Sequence, residues 1–259
     1  DMFNDFEFRD GVRLAGVNSI NWARVLAQVV YYFSSAVALG APHREVSFTV
    51  PTGNFGDIFA GYIAKRMGLP IDRLVIATNQ NDILHRAITT GRYDTSIVEP
   101  TITPSMDIQV SSNFERALFD AYDRDGYAIT RLMGELKQGG FGIEEEALLT
   151  LQKYFDSGRA TEKETSRVIK SMFDSNGEVL CPHTAVGVKV ANENLSRTPM
   201  ITLATAHPAK FPDAVEASVG KRPVLPSWLA DLFDRSERLT EMPNDLQLMK
   251  TLVRERIKI

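Results

Sequence analysis

The sequence holds a single cysteine, Cys181, and four histidines in 259 residues. One thiol excludes an intrachain disulfide and any zinc site built on several cysteines. His43, His85, His183 and His207 lack ligand spacing such as H-E-x-x-H, so no metal site is expected. No apolar run approaches the ~20 residues that cross a bilayer, so no membrane span is expected. Charge of one sign is not in excess. Lys+Arg number 29 against 33 Asp+Glu, a net charge of −4 with no basic stripe, so no nucleic-acid partner is expected. No secretory pattern opens the sequence as given, and the cytoplasm is the expected location. Repeats and low-complexity segments are lacking too. What remains is 44% hydrophobic and 24% charged, the composition of an ordinary globular protein, long enough for one large core or two smaller ones.

The patterning predicts an α/β fold: an open, mainly parallel sheet flanked by helices. Ser19 precedes a helix from Ile20 whose Trp22, Val25, Leu26, Val29, Val30 and Phe33 form an apolar stripe at helical spacing. Val46–Val50 reads as a strand, Asp57–Met67 as a helix closed by Gly68, and Leu74–Thr78 as a second strand, together a βαβ unit. Gly91–Pro104 reads as irregular. Helices are expected at 114–123, 128–136, 143–155, 161–173 (Thr161 and Glu164 forming a capping box), from Pro182 to Asn192, 228–233 and 245–256. Met200–Ala204 reads as a strand ending at Thr205. The segment 124–180 is read as helical packing structure. Residues 1–6 read as the end of a helix, and the chain is expected to be incomplete at its N-terminus.

The most informative stretch is Val46-Ser-Phe-Thr-Val-Pro-Thr-Gly-Asn-Phe-Gly-Asp57. An apolar strand runs into a glycine loop and then a helix start, where unpaired N–H groups and the helix dipole favour an anion. Gly53 and Gly56 are expected to supply unusual φ angles and close approach. The loop is neither a Walker sequence nor G-x-G-x-x-G, which leaves a phosphate monoester, or simply a strand-to-helix turn. Asn54 offers donors and acceptors. Asp57 would repel a phosphate aimed at it and is read first as a cap. Thr205, at another strand end, reads as a ligand contact or a turn residue. Ser111, Ser112, Asn113 and Arg116 form a second possible anion cluster, or an N-cap with a solvated arginine. Asn21 and Arg24 are a further pair one turn apart. His183 and His207 suit capping or supporting roles, and Cys181 a buried small residue.

These segments, with Asn18-Ser-Ile-Asn21, Thr78-Asn-Gln-Asn-Asp82, Ser105-Met-Asp-Ile-Gln109, Pro182-His-Thr-Ala-Val-Gly187 and Thr205-Ala-His-Pro-Ala-Lys-Phe211, resemble the threonine synthases in family order over most of the chain. The resemblance implies a tryptophan-synthase-β-like fold, pyridoxal 5'-phosphate (PLP) as cofactor, and conversion of O-phospho-L-homoserine and water to L-threonine and phosphate. It implies that Gly53, Asn54, Phe55, Gly56 and Asp57 hold the cofactor phosphate and that Thr205 faces the pyridine nitrogen. It also implies that Ser111, Ser112, Asn113, Arg116, Asn21 and Arg24 serve the substrate. Family members carry the cofactor on a lysine in a Phe-Lys-Asp context. None of the ten lysines here precedes Asp. The chain therefore reads as a C-terminal portion, 1–259, lacking the Schiff-base lysine, its missing N-terminal part being its first expected partner. The isolated fragment is expected to be inactive, the assembly a monomer or homodimer. Two rivals stand beside this reading: a threonine or serine dehydratase-like lyase, and a non-catalytic phosphate-ligand binding module.

Overall fold

The computed structural model describes residues 1–257, which form two compact units, 1–18 with 225–257, and 19–224. In the smaller unit Met2–Asn4 is a 3-10 turn, and α1 (Phe6–Gly11) begins, rather than ends, at Phe6. Asp5 caps it by accepting from Phe8 N at 3.0 Å. The last helix, Leu246–Arg256, pairs Lys250 with Asp5 and sets it over the Phe8 ring. The expected helix at 228–233 is two 3-10 turns, Ser227–Leu229 and Leu232–Asp234; Trp228 and Phe233 are exposed, so no buried face holds a longer helix.

The larger unit opens with α2 (Trp22–Ala38), followed by the βαβ unit β1 (Val46–Pro51), α3 (Gly56–Arg66) and β2 (Ile71–Thr78). Next come α4 (Ile83–Thr90), β3 (Arg92–Asp94), α5 (Phe114–Ala121), α6 (Gly126–Leu136) and β4 (Gly140–Gly142). The rest are α7 (Glu145–Gln152), β5 (Phe155–Arg159), α8 (Glu162–Asn176), α9 (Pro182–Glu193), β6 (Met200–Thr202) and α10 (Pro212–Val219). The expected capping box is formed at α8: Thr161 Oγ1 accepts from Glu164 N at 3.3 Å, and Glu164 Oε2 from Thr161 N at 2.8 Å.

The main sheet is parallel throughout, in the order β5-β2-β1-β6, as the patterning predicts. Side chains of β2 alternate between two cores. Leu74 and Ile76 join the large core under α2 and α3, while Val75 and Ala77 meet Val186 and Val190 of α9. Two expectations are corrected. Residues 155–159 are a sheet-edge strand, not the end of a helix, so the 124–180 segment is not wholly helical; β4 lies in it as well. Phe155 is drawn into the core beside Phe55 and Tyr62, a tertiary contact that local periodicity does not encode. On α2 the buried face is Val25, Val29, Tyr32 and Ala36, while Trp22, Leu26 and Val30 are exposed. The helix is apolar on two faces, and periodicity does not say which one packs on α3.

From β1 the chain proceeds to β2 and β5 on one side, while β6 returns on the other. Loops leaving β1 and β6 therefore diverge over a switch point, where open α/β sheets bind ligands. The register Thr49↔Thr202 brings the two strand ends side by side.

Candidate functional site

Residues 52–57 leave β1 and turn into α3. The αL residue in this loop is Phe55, with φ 62 and ψ 3, at the N-cap of α3. Neither Gly53 nor Gly56 has a positive φ, which corrects the expectation that the glycines supply it. Gly53 instead permits close approach: a Cβ there would lie 2.4 Å from Ser105 O. Phe55 holds its backbone through its ring, which is 1% exposed and packs edge-on against Phe114 and Phe155, each at 5.3 Å. No side chain caps α3, so its first-turn N–H groups lack both a cap and an intrahelical partner.

The Ser111–Asn113 turn holds the outer side of the loop. Ser111 Oγ donates to Gly53 O at 2.7 Å, and Asn113 N and Nδ2 donate to Asn54 O at 3.1 and 2.9 Å. Ser112 Oγ reaches Asn54 Oδ1 at 3.4 Å. A trans peptide points its N–H opposite to its C=O, so tying these carbonyls back turns the N–H groups of Asn54 and Phe55 to the other side. That side is a cavity of about 450 Å³, lined by Thr52–Asp57, by Ser105, Met106 and His183, by Ala204–Ala206 with Lys210 and Phe211, and by Arg24, Gln28 and Tyr31 of α2.

Of the residues singled out by sequence, Gly53, Asn54, Phe55, Gly56, Asp57, Thr205 and Arg24 line this one cavity. Ser111, Ser112, Asn113 and Arg116 do not. Arg116 faces a second, more apolar cavity, lies 5.4 Å from the Trp22 ring centroid, and donates to Ile20 O and Asn113 Oδ1. Asn21 caps α2, accepting from Ala23 N at 2.9 Å. Gln28, Tyr31 and Lys210 were not singled out as site residues. Their signal was available only as a polar face on α2 and a cation in the loop after β6.

A buried network fixes the opposite wall. Asn79 Nδ2 donates to Thr101, Thr103 and Asp107, and Asp107 Oδ1 also accepts from Asn81 and Thr101. It anchors 101–107, and with it the Ser105 carbonyl against Gly53. His183 Nε2 accepts from Ser105 N at 3.3 Å, and its ring packs on Phe211.

Asp57 sits in the first turn of α3. Burial pushes its carboxyl up to about 6, and a weaker hydrogen bond from Tyr32, at 3.3 Å, only partly offsets this. A carboxyl whose folded pKa exceeds the ordinary 3.8 binds more protons folded than unfolded between those values, so stability falls as pH rises from about 4 to 6. Asp57→Asn should therefore stabilise the protein above pH 6, by up to ~3 kcal/mol, with the gain vanishing below pH 4. Urea unfolding at pH 4 and pH 8 checks this; an equal effect at both pH values contradicts it.

The family model described as "Threonine synthase, C-terminal" matches residues 184–253. The chain is 53% identical to the threonine synthase of Pseudomonas aeruginosa over 97% of its own length and 54% of that protein. Against the threonine synthase of Saccharomyces cerevisiae it is 40% identical, over 99% of this chain and 56% of that one. Among solved structures, the PLP-bound threonine synthase of Brucella melitensis superposes with a TM-score of 0.93 at 58% identity, covering 98% of this chain and 55% of that one. The chain is thus similar to threonine synthases over nearly its whole length. It spans about half the length of the relatives it matches. No described helix is long and apolar enough to cross a membrane, and no metal-ligand cluster occurs among the described residues. The family model covers Thr205 but not the Gly53–Asp57 loop, whereas the similarity to the Pseudomonas aeruginosa protein spans 97% of the chain.

Proposed function

We propose that this chain supplies the cofactor-phosphate loop and ring-nitrogen contact of a PLP-dependent threonine synthase, a carbon–oxygen lyase that converts O-phospho-L-homoserine and water to L-threonine and phosphate. The observation that carries the proposal is the loop itself. Its carbonyls are tied to Ser111 and Asn113 and its helix start is uncapped, so its N–H groups are free for an anion at the switch point. The fit is good on two further counts. The missing Cβ of Gly53 lets the loop pack directly on the Ser105 carbonyl, and Thr205 lines the same cavity.

PLP, when bound, supplies the electron sink that stabilises carbanions next to the substrate amine. The chain's own residues divide the remaining work. Gly53–Asp57 bind the cofactor phosphate through N–H groups. Asp57, held neutral by burial at mildly acid pH, avoids repelling it there. Thr205 faces the ring nitrogen. Arg24 and Lys210 are the cations that line the cavity and suit the second, departing phosphate. Ser111, Ser112, Asn113 and Arg116 shape the loop from behind, and Asn21 sets the start of α2 and thus Arg24. A dehydratase would need no second anion site, and a binding module would need no substrate beyond its phosphate ligand.

The covalent anchor is the function this stretch lacks, since no lysine here has the Phe-Lys-Asp context. The full-length protein with PLP should release phosphate from O-phospho-L-homoserine and form threonine, while residues 1–259 alone should do neither. A phosphate-release assay on both decides it. Turnover by the isolated stretch refutes the assignment of the anchor elsewhere, and its absence in the full-length protein favours the binding module.

A further inference from the structure

His183, in the first turn of α9, joins three stretches of chain that line the cavity: its own helix start, the 101–107 segment and the loop after β6. Its Nε2 accepts from Ser105 N at 3.3 Å. Its ring packs on the Phe211 ring, with centroids 4.6 Å apart and planes at 49°. Each contact is passed one step further toward the ligand space. The Ser105 carbonyl is the group pressed against Gly53, where a Cβ would lie 2.4 Å away. The Lys210 ammonium lies 5.8 Å from the Phe211 centroid. One imidazole therefore stands behind both the glycine loop and the cation after β6.

Stability does not account for an imidazole at this position. Because Nε2 accepts, the neutral ring carries its proton on Nδ1. That Nδ1 is buried without a hydrogen-bond partner among the described residues, in a residue only 4% exposed. A buried donor left unpaired forfeits its hydration and destabilises the fold. Ser105 is exposed, so water can serve its N–H in the absence of His183. A phenyl ring would fill the same space, keep the contact with Phe211 and leave no donor unpaired. What imidazole adds is the acceptor at Nε2, and the group it accepts from belongs to the residue that abuts Gly53.

We propose that His183 is a positioning residue that sets the gap between the 101–107 wall and the 205–211 wall. Through Nε2 it holds the Ser105 peptide against the glycine loop, and through Phe211 it holds Lys210 in place. The inference rests on the reading that this cavity takes PLP and a phosphorylated substrate. His183 itself moves no proton, since Nε2 is occupied and Nδ1 is sealed from the cavity.

The two contacts can be removed one at a time in the full-length protein. His183→Phe keeps the ring and loses the acceptor. His183→Gln keeps an acceptor, since Oε1 lies as many bonds from Cβ as Nε2 does, and loses the ring. PLP should bind roughly two- to tenfold more weakly to His183→Phe, the range for one hydrogen bond, and wild-type affinity should return in His183→Gln. KM for O-phospho-L-homoserine at saturating PLP should show the reverse order. It should rise roughly two- to tenfold in His183→Gln, the range for one aromatic pair, and stay unchanged in His183→Phe. In urea, cofactor-free His183→Phe should be at least as stable as wild type, because the unpaired donor is gone. Nitrogen-15 spectra of the histidine-labelled wild type, with His183 identified by its loss in His183→Gln, should show Nδ1 protonated and Nε2 not. A protonated Nε2 overturns the inference without any reference to a variant's activity. So does a His183→Phe that binds PLP as wild type does, or one whose stability falls in step with its affinity, which would make His183 a packing residue only. Equal losses of PLP affinity and of KM in both variants overturn it as well. All these outcomes leave the cofactor reading standing while the wild type binds PLP; a wild type that binds none overturns both.

Discussion

Gly53→Ala in the full-length protein should lose at least a hundredfold in PLP affinity while remaining folded. The added Cβ would stand 2.4 Å from the Ser105 carbonyl, a backbone atom that does not rotate away. Ser105 is itself anchored by the Asn79–Asp107 network, so the glycine loop is the partner that must move. Moving it breaks the alignment of at least two N–H groups with the phosphate. Hydrogen bonds to a charged group are worth roughly 1.5–3 kcal/mol each, so the combined loss exceeds the ~2.7 kcal/mol that corresponds to a hundredfold. Gly56→Ala is the control. Its Cβ would meet the Asn113 amide at 3.4 Å, the edge of ordinary contact distance, and its φ is not positive, so only a small change is expected. Equilibrium titration with PLP, followed by absorbance, measures both. Equal affinities for Gly53→Ala and wild type would remove the loop from the phosphate site.

Phe55→Gly should destabilise the protein by about 1–4 kcal/mol, although glycine is the residue that best suits the backbone there. Two effects oppose one another. The left-handed φ of 62 strains phenylalanine by ~1–2 kcal/mol, and glycine relieves this. Removing a ring buried to 1% and packed on Phe114 and Phe155 costs about 3–5 kcal/mol. Packing therefore wins, and the strain is maintained by the aromatic cluster that surrounds it. The loop should also lose its fixed shape, so PLP affinity should fall with stability. Urea unfolding of the variant and wild type gives the first quantity. A stabilised Phe55→Gly would mean that backbone strain, not ring burial, governs this turn.

The sequence by itself determined the βαβ unit, the parallel sheet and the loop at the end of β1. These follow from short-range physics: an apolar run, a polar glycine turn, a helix start and a second apolar run leave a parallel crossover as the compact solution. The Thr161–Glu164 capping box was legible for the same reason, since both partners lie within one turn. So was the pairing of Gly53–Asp57 with Thr205, because parallel strands bring their C-terminal ends to one edge. Tertiary structure decided what depends on contacts distant in sequence. Ring packing on Phe114 and Phe155, not a glycine, holds the αL turn at Phe55. Docking on α3 chose Val25, Val29, Tyr32 and Ala36 over the equally apolar Trp22, Leu26 and Val30 as the buried face of α2. The Ser111–Arg116 cluster looked like an anion site by composition, but its donors point at carbonyls 58 and 96 residues away in sequence. A donor's chemistry is written in its residue type. Whether it meets a ligand or a backbone oxygen is settled only when the chain has folded around it.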